Sequence, residues 1–168
     1  RDLHPRVLRQ RQMCIRDSQI CCYQQIDGSR YAALFADTLE VSLENEFLPF
    51  LYPNQYVNFT PDSASSKLAL SIISEDASDV DALQAVYNYV VQNLTYDYDL
   101  ADTVDSGYIP DVDSTLKSGK GICFDYAALM TAMLRSSGIP TRLDIGYATN
   151  IYHAWICLLY TSDAADEL

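Results

Sequence analysis

The sequence predicts an α+β fold, and three observations carry that reading. Residues between about Ser63 and Leu94 place apolar side chains at helical spacing. A further helix, headed by Cys123, is closed by Gly138 and Pro140. The segments "TRLDIGY" and "YHAWI" then read as short strands. Helices that precede strands, rather than alternating with them one by one, give the α+β pattern.

The elements follow in chain order. From Gln19 to about Asn45 the chain reads as strands. In "CCYQQIDGSRYAALF", Asp27-Gly28 separates two extended runs, a hairpin signal because Gly accepts positive φ. "TLEVSLEN" then alternates Leu39, Val41 and Leu43 against polar residues. Two or three strands cannot bury a face by themselves. Residues 19–46 are therefore expected to be the last strands of a β-domain. "EFLPFLYPNQYVNFTPD" is rich in Pro and Asn and reads as a linker or ordered loop.

Two helices come next. The first spans about Ser63 to Ser74. In the second, Ser78 and Asp81 form an S-x-x-D capping pattern. Behind that cap Val80, Leu83, Val86, Tyr87, Val90, Val91 and Leu94 keep helical spacing, so one face packs inward. "TYDYDLADTVDSGYIPDVD" holds six Asp from Asp97 to Asp113 and no Lys or Arg. The ligand order, Gly and closing Glu of a calcium-binding EF-hand are missing. The stretch is expected to be a solvated acidic loop.

The last block is "GKGICFDYAALMTAMLRSSGIPTRLDIGYATNIYHAWI". Gly119 and Gly121 precede a helix of about Ile122 to Ser136. Gly138 and Pro140 follow its end, the usual C-terminal order. Cys123 falls in the first turn. Free N–H groups and the helix dipole favour negative charge there, and such a thiol can attack at neutral pH. The same N–H groups can receive an oxyanion. A thiolate nucleophile also wants a base. His153 lies thirty residues on, in a strand, with Tyr152 and Trp155 beside it; the other histidine, His4, lies near the N-terminus. Gly121 leaves room for a substrate to approach the backbone. The spacing is equally compatible with a buried structural cysteine and an incidental histidine.

Composition narrows the choices. The net charge is -12 over 168 residues. Residues 19–156 carry six Lys or Arg against eighteen Asp or Glu, so the imbalance lies there and not in the ends. Nucleic-acid binding rests on Lys and Arg neutralising phosphates, so it is not expected. No apolar run is long enough to span a bilayer. Of five cysteines, Cys14 and Cys157 fall near the ends, and Cys21 and Cys22 are adjacent, hence poor partners for each other. No zinc spacing is present, and no metal or cofactor is expected.

"GKGICFDYAALMTAMLRSSGIPTRLDIGY" followed by "YHAWI" resembles the core of the bacterial transglutaminase-like superfamily, whose fold is related to papain-like cysteine proteases. The matching positions are Gly121, Cys123, Asp125, Tyr126, Ala127, Gly138, Ile139, Pro140, Gly146, Tyr147, His153, Ala154 and Trp155. "NLTYDYD" and "FLYPNQYVN" also look like upstream pieces of such proteins. The resemblance implies Cys123 as nucleophile and His153 as base, with Gly121, Tyr152 and Trp155 near the substrate. It implies acyl transfer or hydrolysis at a peptide or protein amide through a Cys thioester. It implies an extracellular or cell-surface setting beside β-sandwich modules. A third residue, usually an Asp on the next strand, would orient the histidine; residues 19–156 hold no acidic residue after His153. The alternative is a non-catalytic binding or structural module that retains the fold.

The two ends read as foreign to this pattern. "CLLYTSDAADE", from Cys157 to Glu167, back-translates to a string resembling the transposon end and primer of sequencing libraries. Gln12 to Ser18 back-translates to the reverse complement of the same element. The expected organisation is therefore 1–18 foreign, 19–46 a truncated β-domain, 47–156 a truncated transglutaminase-like domain and 157–168 foreign. Little or no turnover is expected from a chain so cut, because triad members act as a unit.

Overall fold

The structure is a computed structural model that describes residues 17–40, 45, 47–105 and 107–159. The chain forms two compact units, Arg1–Glu46 and Phe47–Leu168.

The first unit shows one antiparallel hairpin, β1 (Asp17–Asp27) with β2 (Arg30–Glu40). The expected Asp27-Gly28 turn is present, with Gly28 at φ 52°. Asp27 and Arg30 pair across it at 2.9 Å on the surface. Such an exposed pair contributes little. Register shifts fall at Cys22/Tyr23 and Gln25/Asp27. Ile20, Tyr23, Ile26, Tyr31, Leu34, Phe35 and Leu39 are all exposed. Leu39, assigned from the sequence to a separate run, instead continues β2; Val41 and Leu43 lie outside the described residues.

The second unit contains the core. After a short 3₁₀ turn at Leu48–Phe50, the expected linker turns out to be ordered. Asn54 Oδ1 accepts from the N–H groups of Tyr56 (2.9 Å) and Val57 (3.0 Å), turning the chain so that Val57 is fully buried. Then come α1 (Ala64–Ile72), α2 (Asp79–Asn93), β3 (Thr95–Tyr96), α3 (Tyr98–Thr103), α4 (Val112–Ser118), β4 (Lys120–Gly121), α5 (Cys123–Ser136), β5 (Thr141–Ala148) and β6 (Ile151–Leu158). The sheets are two-stranded: β3 pairs in parallel with β4, and β5 antiparallel with β6. The fold is α+β.

The local rules operate as the residues dictate. Ser78 and Asp81 form the expected reciprocal capping box of α2, with the Asp81 N–H donating to Ser78 Oγ at 3.2 Å. Val86 and Val90 are buried on its inner face. At the centre is α5, which packs against α1, α2, α4, β5 and β6. Its Leu129, Met133 and Leu134 are fully buried. Truncating any of them to alanine would cost about 2–5 kcal/mol.

Arg135, near the end of α5, is only 4% exposed. Its guanidinium donates to the carbonyls of Thr141 (2.8 Å) and Tyr52 (2.7 Å), joining the start of β5 to the early loop. Burial lowers its pKa to about 10. The strand β6 runs two residues past the Ile156 boundary drawn from the sequence. Ile156 and Leu158 fall on one face and both pack on the core, so the alternation continues.

The acidic stretch is not a solvated loop throughout, and that expectation is corrected. Asp97 and Asp111 cap α3 and α4, accepting from the N–H groups of Leu100 and Ser114, each at 3.0 Å. Asp113 accepts from the N–H groups of Ala64 (3.1 Å) and Ser65 (3.0 Å) and from Ser65 Oγ (2.8 Å). It thereby caps α1 from a distant part of the chain, which sequence spacing could not show.

Burial pushes the Asp113 carboxyl up, but the hydrogen bonds from Ser65, Ala64 and Ser63 outweigh it and hold the group below its usual value. Its contribution is therefore present above the ordinary carboxylate pKa of about 3.9 and fades as pH falls through the lower folded value. Asp113→Ala should cost about 1–3 kcal/mol at neutral pH. Urea unfolding measured from pH 7 to pH 2 should show the gap between the two proteins narrowing on the acid side. A gap independent of pH would contradict this assignment.

Candidate active site

The site begins with how α5 starts. Gly119 ends α4 in the left-handed region (φ 65°), where a Cβ would also lie 3.2 Å from the Asn93 carbonyl oxygen. The chain then lies along β3. The Thr95 N–H donates to the Gly119 carbonyl (2.8 Å) and the Asp97 N–H to the Gly121 carbonyl (3.0 Å). Ile122 is the N-cap residue, and Cys123 is the first residue of the helix.

Asp125, at the third helical position, is 1% exposed. Its Oδ2 accepts from the Ile122 N–H at 2.8 Å, and its Oδ1 from the Tyr108 hydroxyl at 2.7 Å. This is half of a capping box. The other half is missing because an isoleucine side chain has no acceptor. The first N–H groups of α5 therefore carry no side-chain cap. A helix start left this way is an anion-binding arrangement, and the partly exposed Cys123 sits on it.

Aromatic rings surround this turn. Phe124 packs against Tyr56 (centroids 6.0 Å apart) and Tyr108 (6.4 Å). Tyr126 packs against Tyr96 (6.4 Å), which in turn meets Tyr98 at 5.0 Å. Burial first, and then the bond to Asp125, push the Tyr108 phenol well above its ordinary value, so it stays a donor.

The sequence candidates are placed as follows. Cys123 is at the head of α5. Gly121 is buried, and the space its side chain would fill is taken by Asp125: a Cβ there would lie 2.6 Å from Asp125 Cβ. His153 is exposed on β6, opposite Gly146 on β5. It shares a strand face with Trp155, whereas Ala154 and Ile156 are on the other face. Tyr152 is exposed and meets Tyr147 across the hairpin, edge-on at 5.2 Å. Trp155 is half-buried beside Asp144, which pairs with Arg142 at 2.9 Å. Helix α5 packs on β6, but among the described residues no hydrogen bond joins Cys123 to His153. No group of three His, Cys, Asp or Glu suited to a metal ion occurs among the described residues.

Sequence reasoning missed the parts played by Asp125, Tyr108 and Tyr96. An acidic residue three positions after an N-cap is a readable signal, and Ile122–Asp125 has that spacing. Nothing in the sequence announces that Tyr108 reaches it.

The sequence profile described as the Transglutaminase-like superfamily matches residues 66–163. A UPF0252 protein of Methanocaldococcus jannaschii is 29% identical to the chain, over 59% of this chain and 32% of that protein. A solved structure of a candidate cysteine protease from Cytophaga hutchinsonii superposes with a TM-score of 0.55 at 24% identity, over 69% of this chain and 39% of that one. The chain thus spans about a third of the curated relative and about two fifths of the solved one. The superposition speaks to the fold.

Gly121→Ala tests the packing of that position against Asp125. Forcing a methyl into the Asp125 side chain should destabilise the protein by about 1–3 kcal/mol, read from the urea midpoint. An unchanged midpoint would mean that the glycine is not required by Asp125.

Proposed function

The chain belongs to the transglutaminase-like superfamily, and from that premise we propose that it carries a thiol acyl-transfer centre with Cys123 as nucleophile and His153 as base. The observation that carries the reading is a partly exposed cysteine on the uncapped first turn of α5. A thiolate and a developing oxyanion both favour that position.

The reaction class follows from those groups. His153 takes the thiol proton, and the sulfur lone pair attacks the amide carbon. The C–S bond forms while the carbonyl π pair moves to oxygen. The pair returns, the C–N bond breaks, and the imidazolium gives its proton to the departing amine. Water or a second amine then attacks the thioester, releasing the acid or a new amide and restoring the thiol. The substrate is a peptide or protein amide. Tyr152 and Trp155 on β6 are the proposed contacts to it; Gly121, expected from the sequence to admit substrate, is buried and faces the Asp125 side chain instead.

One observation favours the second reading, a module that keeps the fold without catalysis: Cys123 and His153 are not hydrogen-bonded, and His153 is exposed. The two readings separate on a single acylation event, which needs no turnover. Incubation with p-nitrophenyl acetate, followed by peptide mass mapping, should find an acetyl group on Cys123 ahead of Cys21, Cys22 and Cys157. Cys123→Ala should abolish that adduct. His153→Ala should slow it by on the order of 10²-fold or more, the usual range for loss of a general base. Equal labelling of all cysteines, or a His153→Ala rate equal to wild type, would leave the non-catalytic reading.

A further inference from the structure

A cavity of about 350 Å³ opens close to the head of α5. One wall comes from the loop between Gln55 and Ser63, the other from Ile109 to Asp113. Both walls are tied to the first turn of the helix. Tyr56, next to Gln55, packs on Phe124 with centroids 6.0 Å apart. Tyr108, next to Ile109, packs on the same ring at 6.4 Å and donates to Asp125. Phe124 follows Cys123 directly in the chain. An extended peptide advances about 3.3–3.6 Å per residue. A side chain a few residues from an amide held at Cys123 therefore reaches the cavity.

The lining is of two kinds. Phe59, Pro110 and Val112 are buried and supply an apolar floor. Gln55, Asn58 and Asp111 are exposed at the rim, and no Lys, Arg or His lines the cavity. Its two carboxylates differ. Asp113 has both oxygens engaged by the start of α1, whose N–H groups offset its charge. Asp111 gives Oδ1 to the Ser114 N–H at 3.0 Å, and no hydrogen bond to its Oδ2 occurs among the described residues. An anionic ligand would meet two carboxylates and find the N–H groups of α1 already used. A wholly apolar ligand would desolvate the Asp111 carboxylate without compensation. An aliphatic stem with a cationic end suits floor and rim together.

We infer that this cavity is a substrate subsite for a Lys or Arg side chain of the peptide whose amide is attacked at Cys123, with the stem on Phe59 and Val112 and the charge at Asp111 Oδ2. The inference rests on the acyl-transfer reading above and narrows its substrate class. The held ammonium or guanidinium is not the reacting group. It stays protonated and selects which peptide is presented. The net charge of -12 favours the approach of cationic peptides in the same sense.

Blocked alanine pentapeptides with Lys, norleucine or Glu at the central position test this. Binding is read from the amide shifts of Asn58, Ile109 and Asp111 in nitrogen–proton spectra. The Lys peptide should bind about three- to tenfold more tightly than the norleucine peptide, the range of one charge pair at a partly open site, and the Glu peptide should bind more weakly than either. Asp111→Asn keeps the Oδ1 acceptor that caps α4, so the fold is retained, and it should erase the advantage of Lys. The bound Lys peptide should also slow alkylation of Cys123 by iodoacetamide. Equal binding of Lys and norleucine, or a Lys preference that survives Asp111→Asn, overturns the subsite. Binding that leaves Cys123 alkylation unchanged overturns its link to the thiol. If the Lys peptide binds and shields Cys123 but p-nitrophenyl acetate never acylates that cysteine, the acyl-transfer reading fails and the substrate role falls with it, while the cavity's preference for a cation stands.

Discussion

The Asp125 carboxylate is the interaction on which the Cys123 end of α5 depends. It is buried and has two donors, the Ile122 N–H and the Tyr108 hydroxyl. A buried carboxyl without such partners would cost several kcal/mol. The first bond sets where α5 begins. The second ties that start to the segment that leads into α4. Both need Gly121, because any side chain there would occupy the space of Asp125. Three residues within five positions thus form one device, and Cys123 is carried in the middle of it.

Around that device the first turn of α5 is lined by aromatic rings. Tyr108 and Phe124 close one side of the turn, and Tyr96 and Tyr126 the other. The rings do not cap the N–H groups of the helix start, which leaves the local electrostatics to backbone dipoles and phenol hydroxyls. The remainder of α5 is anchored elsewhere. Its apolar side chains fill the core, and Arg135 ties its far end to the carbonyls of Thr141 and Tyr52. The helix is held at both ends by buried polar groups and along its length by packing.

Much of this was legible in the sequence where the signal is local. The α+β class, the Asp27-Gly28 turn, the Ser78–Asp81 cap and the Cys-headed helix all follow from rules that span a few residues. So did the resemblance carried by the Cys123 and His153 blocks, and the chain's superfamily agrees with it. The failures are contacts between distant parts of the chain. Asp113 reads as one of six acidic loop residues until α4 brings it to the start of α1. The pairing of Thr95–Tyr96 with Lys120–Gly121 is too short to leave a pattern. Asp125 stood in the family motif, but its two partners and its demand on Gly121 appear only in three dimensions. His153 was legible as a residue type; its exposed setting on β6 was not.

Asp125 fixes the start of α5 locally, over and above the packing of the helix. Native-state hydrogen exchange measures this directly, because a local opening and global unfolding give different protection at different amides. In wild type the Ile122 N–H, bonded to Asp125, should exchange on a timescale near that of the Leu129 and Met133 amides. In Asp125→Ala it should become fast, while Leu129 and Met133 lose only what the drop in global stability accounts for. If Ile122 and Met133 lose protection in step, or if Ile122 keeps its protection, Asp125 is one more core contact and does not set where α5 begins.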